Sequence, residues 1–417
     1  LNLLQFSQDA YLVAFFLFCI AFILFVFALG GGKSQDYGRR ERKWGKIAFA
    51  VTIIGFLAQA AYFFTRWIGA GHIPVSNMYE FMSFLAMMII AAFVVVYLIY
   101  RSTVLGVFGV PLAVIIMGYA SVFPSEVQPL IPQLDSIWLY IHVTMVALGY
   151  AFFAVGFLAG LLHLLRSIRW DAGAPRRPQR WLEFTMASIV IVIGFISIVF
   201  IFRGAGYEII IDQKVESVKN GQIETRLEKV TYQMPPLVAP YNSDSASLEK
   251  VPSFIGISLP LMEAPSWMKG VQAGRKLNTV IWSLLTGLVL YGLIRLIIRK
   301  PIAKSIQPFV RGVDPELADE ISYRSIALGF PVFTLGGLIF AMIWAQIAWS
   351  RFWAWDPKEV WALITWLFYS AYLHLRLSRS WIGTKSSWLA VIGFLIVMFT
   401  LVGVNLIISG LHSYAGV

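Results

Sequence analysis

The sequence predicts an all-α fold: a polytopic membrane helix bundle of about ten transmembrane helices, with a small external domain of mixed or β-hairpin character. Three observations carry that reading. Hydrophobic residues make up 59% of the 417 and charged residues only 13%, with a mean hydropathy of +0.74, a balance too apolar for an ordinary soluble domain. Several apolar runs reach the roughly 20 residues that cross hydrocarbon. Most Lys and Arg fall in short connections between those runs, as the positive-inside rule expects. The net charge of +11 is therefore accounted for without a nucleic-acid partner.

Taken in order, the first apolar run, about Tyr11 to Leu29, has no basic residue before it and Arg39-Arg40-Glu41-Arg42-Lys43 after it. That is the reverse of a secretory signal and reads as a retained span running from outside to inside. Runs at 47–66 and 81–100 follow. The fourth, 103–121, is the weakest, since it contains Pro111 with Gly106, Gly109 and Gly118; losing it would spoil the parity of the bundle. Runs at 137–165 and 184–202 lead to the long polar-to-mixed stretch Arg203 to Lys276. There the alternating Tyr207–Asp212 segment and the Lys219-Asn220-Gly221-Gln222 turn predict a small β-hairpin, followed by looser Pro-rich sequence. Four more runs close the chain at 278–298, 325–348, 358–378 and 387–409.

Basic connections at Lys33–Lys46, Arg166–Arg180, Arg295–Arg324 and Arg376–Lys385 alternate with nearly neutral ones at Gly69–Glu80 and Ser121–Ser136. This places both termini and the 349–359 connection on the outer face of the membrane. The expected organisation is N-terminal helices over 1–202, an external domain over 203–277, a seventh helix with a cytoplasmic linker over 278–320, and a C-terminal core over 321–417. Cys19 is the sole cysteine, so the chain offers no disulfide and no CxxC pair, and any thiol chemistry comes from a partner or substrate.

The most informative stretch is Trp349-Ser350-Arg351-Phe352-Trp353-Ala354-Trp355-Asp356-Pro357-Lys358-Glu359, with Trp361 and Trp366 beyond it. Asp356-Pro357-Lys358-Glu359 reads as an N-cap, a proline at the first helical position and an acid three residues after the cap, so a helix starts here. Asn77-Met78-Tyr79-Glu80 gives a similar start. The aromatic residues fit an interfacial belt. Their packing into one short connection also fits a surface laid against a large planar cofactor, and haem is the first ligand to test.

Depth along the helices sorts the histidines. His374 lies roughly 25 Å down the helix that begins at Pro357, near the cytoplasmic side, whereas His142 is about one turn into the outer end of its helix. His412 follows the last apolar run and is also outer. Each could be a hydrogen-bonded interfacial residue; as a pair flanking the tryptophans, His142 and His412 could also clamp a haem iron from both sides. An imidazole within an apolar helix, such as His374, points to function. His163, beside Arg166 and Arg169, fits the basic inner interface better than ligation, and the role of His72 in Gly71-His72-Ile73-Pro74 is open.

At these residues the chain resembles the CcsA/ResC family of system II cytochrome c biogenesis. The resemblance rests on Ile321-Ser322-Tyr323-Arg324, Trp353-Ala354-Trp355-Asp356-Pro357-Lys358-Glu359, Tyr372-Leu373-His374-Leu375-Arg376 and Gly410-Leu411-His412-Ser413-Tyr414. Upstream, Ser76-Asn77-Met78-Tyr79-Glu80 and Trp138-Leu139-Tyr140-Ile141-His142-Val143 are similar to further family blocks, sparing about Arg166 to Glu320. The resemblance implies that His142 and His412 are outer axial ligands of haem b, that Trp349, Phe352, Trp353, Trp355 and Asp356 belong to a WWD haem platform, and that His374 is an inner ligand on the haem's inbound path. Ser350 departs from the family pattern, which usually has Gly there. Arg351 and Lys358 are candidate propionate contacts.

What the resemblance implies for function is a cytochrome c synthase in the cytoplasmic or a thylakoid-type membrane. Haem would be moved across the bilayer and attached to CxxCH segments of apocytochrome c. The implied partners are a CcsB/ResB membrane protein, apocytochrome c and the thiol–disulfide reductants that keep its cysteines reduced. Two other readings stand beside it: a haem carrier or exporter without attachment, and a structural membrane or transporter subunit with no cofactor.

Overall fold

A computed structural model of the chain describes residues 2–29, 37–127, 129–130, 132–219, 222–378 and 380–404. In chain order, α1 (Leu3–Leu29), α2 (Tyr37–Ala70), α3 (Met78–Tyr100), α4 (Thr103–Ala120), α5 (Ile137–Ser167) and α6 (Arg176–Gly204) come first. They are followed by β1 (Ile209–Lys219), β2 (Gln222–Tyr232), β3 (Val238–Ala239), α7 (Ser245–Leu248) and β4 (Met262–Glu263). Then come α8 (Ala273–Ile298), α9 (Ile302–Ile306), α10 (Pro315–Phe333), α11 (Ala341–Trp349), α12 (Pro357–Ser378) and α13 (Thr384–Met398). The protein is an integral membrane protein: among the described residues, nine helical segments are long and apolar enough to cross a membrane. The segment predicted at 358–378 forms the 22-residue α12. It is less apolar than those nine because Trp361, Trp366, Tyr369, Tyr372 and His374 interrupt its aliphatic residues.

Two compact units divide the chain, Leu1–Leu182 with Ala303–Val417, and Glu183–Ile302. In the first, α5 is the central helix, packed against α3, α10 and α13. The predicted start of α3 is present: Asn77 caps it, its side chain accepting from the Glu80 N–H at 2.9 Å. Glu80 is fully buried and pairs with the equally buried Arg66 at 2.7 Å. Its second oxygen accepts from the Ser76 backbone N–H at 2.9 Å and from the Ser76 hydroxyl at 2.8 Å. Arg66 also donates to the Ser125 carbonyl at 2.8 Å. A charge pair taken out of water survives only with its remaining lone pairs and protons satisfied, and here they fasten the connections on both sides of α3 and α4 to α2.

The run predicted at 325–348 is not one regular helix. Between α10 and α11 the backbone widens into a π-helix over Thr334–Phe340, so a helical rod of three parts, Pro315–Trp349, makes up one of the segments long and apolar enough to cross a membrane. Apolar periodicity does not distinguish a π segment from an α-helix. A second π turn, Phe399–Gly403, continues α13.

In the second unit the predicted hairpin is formed. β1 and β2 pair antiparallel from Ile209 with Tyr232 to Lys219 with Gln222, burying Ile211, Val230 and Tyr232 against Leu248, Val251 and Val271. The sequence after it, expected to be loose, instead holds α7 and the parallel pair β3–β4. Asn278 and Trp282 of α8 explain part of this order. Asn278 Oδ1 accepts from the Leu237 N–H at 2.8 Å, and the Trp282 indole donates to the Pro235 carbonyl at 2.8 Å. Lys214, 3.0 Å from Asp244, holds that carboxyl below the usual carboxylate range.

Candidate functional site

The tryptophan connection is built by local backbone chemistry. α11 ends where Ser350 adopts a left-handed conformation (φ 55°), which reverses the chain as a C-terminal cap does. Trp355 is left-handed as well (φ 59°). The predicted capping box is then completed: Asp356 Oδ2 accepts from the Lys358 N–H at 3.3 Å, and Glu359 Oε2 accepts from the N–H groups of Ala354 at 2.7 Å and Asp356 at 3.2 Å. Glu359 thus does more than cap α12. It folds 354–356 back over the helix start.

This connection closes one side of an open cavity. Its walls include Val75, Ser76, Asn77 and Met78 before and at the start of α3, His142, Val143, Val146 and Tyr150 of α5, Phe333, Gly337, Trp344 and Ala345 of the three-part rod, Phe352 and Trp353 of the connection, Lys358 and Glu359 of α12, and Thr400 and Leu401 after α13. The lining is mainly apolar and aromatic with a few polar groups, the composition of a small-molecule site.

His142 is held in orientation from two sides. Its Nδ1 lies 2.8 Å from the Gly336 carbonyl, and a carbonyl can only accept, so Nδ1 carries a proton and, when the ring is neutral, Nε2 holds the lone pair. The ring also stacks on Trp344, 5.9 Å between centroids and 12° apart. The π-helix makes this reach possible. Gly336 sits so close to α5 that a Cβ there would stand 2.7 Å from the Met145 Cβ and 2.8 Å from the Val146 backbone nitrogen. Widening of the helical ring is a common way to place a backbone group at a functional site.

The aromatic residues predicted to form one flat surface are divided. Trp353 and Phe352 line the cavity. Trp349 turns inward onto Leu134, Leu139, Trp344 and Ala348, while Trp355 is 69% exposed and stands at 84° to Trp353. The Trp349 and Trp353 indole N–H groups are buried and have no hydrogen-bond partner among the described residues. Such groups are costly unless a ligand or water accepts from them. Asp356 is buried as the cap, Lys358 reaches the cavity wall, and Arg351 is exposed and outside the lining.

The histidines separate as well. His374 is exposed on α12, seventeen residues or roughly 25 Å of helix from Pro357. His163 is buried at the other end of α5, its Nδ1 2.8 Å from the Pro315 carbonyl and its Nε2 3.3 Å from the Ser167 hydroxyl. It ties α5 to the start of α10. His72 is buried, with Nδ1 3.0 Å from the Ile73 carbonyl and Nε2 lacking a hydrogen-bond partner among the described residues. His412 lies outside the described residues. Sequence reasoning missed Gly336, Trp344 and the loop-folding part of Glu359. The Gly336-Gly337 pair, five and six residues after Pro331, was the available signal for an irregular helix.

Comparison with known proteins gives this arrangement a family. The sequence matches the family described as cytochrome C assembly protein over residues 75–207 and 279–412, more than half of the chain and including His142, His374 and the tryptophan connection. It is 33% identical over 365 residues to the cytochrome c biogenesis protein CcsA of Microcystis aeruginosa, covering 87% of this chain and 85% of that protein. It is 32% identical over 374 residues to CcsA of Trichormus variabilis (87% and 86%), and 29% identical over 373 residues to CcsA of Porphyra purpurea (88% and 87%). With its membrane helices, its WWD connection and these matches along most of its length, the chain belongs to the cytochrome c assembly protein family and has a role in cytochrome c biogenesis.

Proposed function

We propose that this chain moves haem b across the membrane and, with a CcsB/ResB partner, attaches it to CxxCH segments of apocytochrome c on the outer face. The observation that carries the proposal is the orientation of His142. Its proton is held on Nδ1 by the Gly336 carbonyl in a residue that lines a largely apolar cavity. This is how proteins fix an imidazole that ligates a metal through its other nitrogen. The buried Trp353 N–H in the same wall offers a donor to a ligand acceptor, and Lys358 offers a cation for a propionate. Arg351, outside the lining, is the weaker of the two propionate candidates.

In this reading haem is the substrate. His142 and His412 hold the iron from its two faces, and the cavity wall around Trp353 and Phe352 orients the porphyrin so that a vinyl edge remains open. Each substrate thiol then adds across one vinyl group. Sulfur bonds to the carbon attached to the ring, the proton ends on the terminal carbon and the π bond is lost, so no outside electrons are needed. The thiols must arrive reduced, and Cys19 alone cannot reduce a disulfide, so separate thiol–disulfide reductants serve the substrate. The CxxCH histidine displaces one imidazole and releases the product. His374, exposed on α12, receives haem from the inner side with its second ligand supplied by the CcsB/ResB partner.

Haem spectra of the chain co-purified with its partner test this. His142→Ala and His412→Ala should weaken outer ligation, with imidazole restoring it, and His374→Ala should lower haem loading. If imidazole restores neither the spectrum nor attachment in the first two variants, axial ligation by these residues is wrong. A wild-type complex without a Soret band would remove the haem reading altogether.

A further inference from the structure

The extramembrane part of the second unit carries a feature its own packing does not explain. Phe254 and Ile257 close a two-residue turn through paired backbone hydrogen bonds, Phe254 N–H to the Ile257 carbonyl at 2.9 Å and Ile257 N–H to the Phe254 carbonyl at 3.0 Å. Both central residues have positive φ, 52° at Ile255 and 75° at Gly256. Such turns favour Asn-Gly, and a β-branched residue at positive φ is an outlier. Ile255 is nonetheless there, and it is 83% exposed. Ile257, Leu261 and Trp267 are exposed too, the last at 79%. A run of large apolar side chains facing water on a small polar domain marks an interaction surface.

The fold says which surface it meets. The Phe254 ring contacts Phe202 at 5.8 Å and Trp282 at 5.7 Å, and those two rings contact each other at 5.3 Å. Phe202 is in the last turn of α6 and Trp282 is in α8, two helices with membrane-spanning composition. The turn is thereby held beside the membrane helices rather than at the far end of the hairpin. Trp267 lies six residues before α8 begins, and indoles concentrate where membrane helices meet the headgroups. Lys250 and Lys269 flank the stretch but are balanced by Glu249 and Glu263, so the contact rests on its apolar side chains rather than on charge.

We infer that the Ile255–Gly256 turn, together with Leu261 and Trp267, is a lipid anchor that enters the headgroup layer of the adjacent leaflet and fixes the extramembrane domain against the bilayer. The strain at Ile255 is tolerated because its side chain leaves water for lipid.

The test uses the full chain in nanodiscs of phosphatidylethanolamine and phosphatidylglycerol. In a Cys19→Ser background, Ile255→Cys, Leu261→Cys and, as an aqueous control on β2, Thr225→Cys are labelled with an environment-sensitive fluorophore. The labels at 255 and 261 should be quenched by lipids carrying a shallow doxyl group and be at least several-fold less accessible to aqueous iodide than the label at 225. Equal iodide access at all three positions overturns the inference. So does protection at 255 and 261 that appears only when a partner protein is added, since that would make the surface a protein interface. If the Ile255 variant does not fold, Leu261→Cys decides alone.

Discussion

Replacing Gly336 with alanine tests whether the π segment orients His142. The added methyl would stand 2.7 Å from the Met145 Cβ, 2.8 Å from the Val146 nitrogen and 2.9 Å from the Met145 carbonyl carbon. None of these is a side-chain tip that can swing away. Reaching ordinary contact at 3.4 Å requires the π segment and α5 to part by about 0.7 Å. The His142–Gly336 hydrogen bond, now 2.8 Å, then stretches to about 3.5 Å, the limit of a useful bond. Overpacking costs about 1–3 kcal/mol and the lost hydrogen bond about 1 kcal/mol. Loss of a group that orients a metal-bound histidine lowers affinity by about 10- to 100-fold. Haem titration followed in the Soret region, alongside thermal unfolding, separates the two effects. Gly329→Ala is the control: its methyl meets the Phe152 Cβ at 2.8 Å and the Gly149 carbonyl at 3.1 Å, straining the same pair of helices without touching His142. If both variants unfold early and both bind haem as wild type does, the Gly336 carbonyl has no orienting role and the reasoning fails.

Ser350→Gly should stabilise the protein by about 1 kcal/mol, because the left-handed backbone at φ 55° penalises a Cβ; an unchanged or lower melting temperature would show that Ser350 is not strained. Arg66→Ala should cost about 3–5 kcal/mol by leaving the Glu80 carboxylate buried and uncompensated, visible as lost accumulation of folded protein in membranes. Glu80→Gln should cost a comparable amount, since its single amide oxygen cannot serve both Ser76 and Arg66 and the guanidinium is left buried without its carboxylate. His163→Ala should destabilise by about 1 kcal/mol through loss of the Pro315 contact and leave the haem spectrum unchanged; a changed spectrum would bring His163 into the haem site.

Features encoded within a few residues were legible in the sequence. Asp356, Pro357 and Glu359 announce the start of α12 because capping chemistry spans only one turn, and Asn77 with Glu80 does the same for α3. The hairpin was legible because the alternation at Tyr207–Asp212 leads to a turn signal at 219–222, whose central residues 220–221 lie outside the described residues. The π segment was not, because its cause is the approach of α5, a neighbour about 190 residues away in sequence whose position no local pattern encodes. For the same reason spacing could not separate Trp349 from Trp353. One packs under the left-handed turn at Ser350 and the other follows it into the cavity wall, and the turn itself falls on a serine where a glycine would have signalled it. Short elements after the hairpin were hidden because they are ordered by Asn278 and Trp282, residues of a helix that the sequence presents as a plain membrane span.

The two histidines at opposite ends of the proposed haem route are held in opposite ways, and the difference constrains the transfer. His142 is fixed by a backbone acceptor and a stacked indole, so binding iron costs it little orientational freedom. His374 shares an exposed face of α12 with Leu367, Ala371 and Leu377, residues at intervals of three and four. A lipid-facing imidazole on such a stripe is expensive until a helix covers it, and if His374 binds haem as proposed, that covering helix would supply the second ligand. On the proposed function, then, haem passes from a site shared between two proteins to one oriented within a single chain. The asymmetry favours inward capture and outer retention. Release therefore depends on the substrate histidine displacing an outer ligand, rather than on any relaxation of the site around His142.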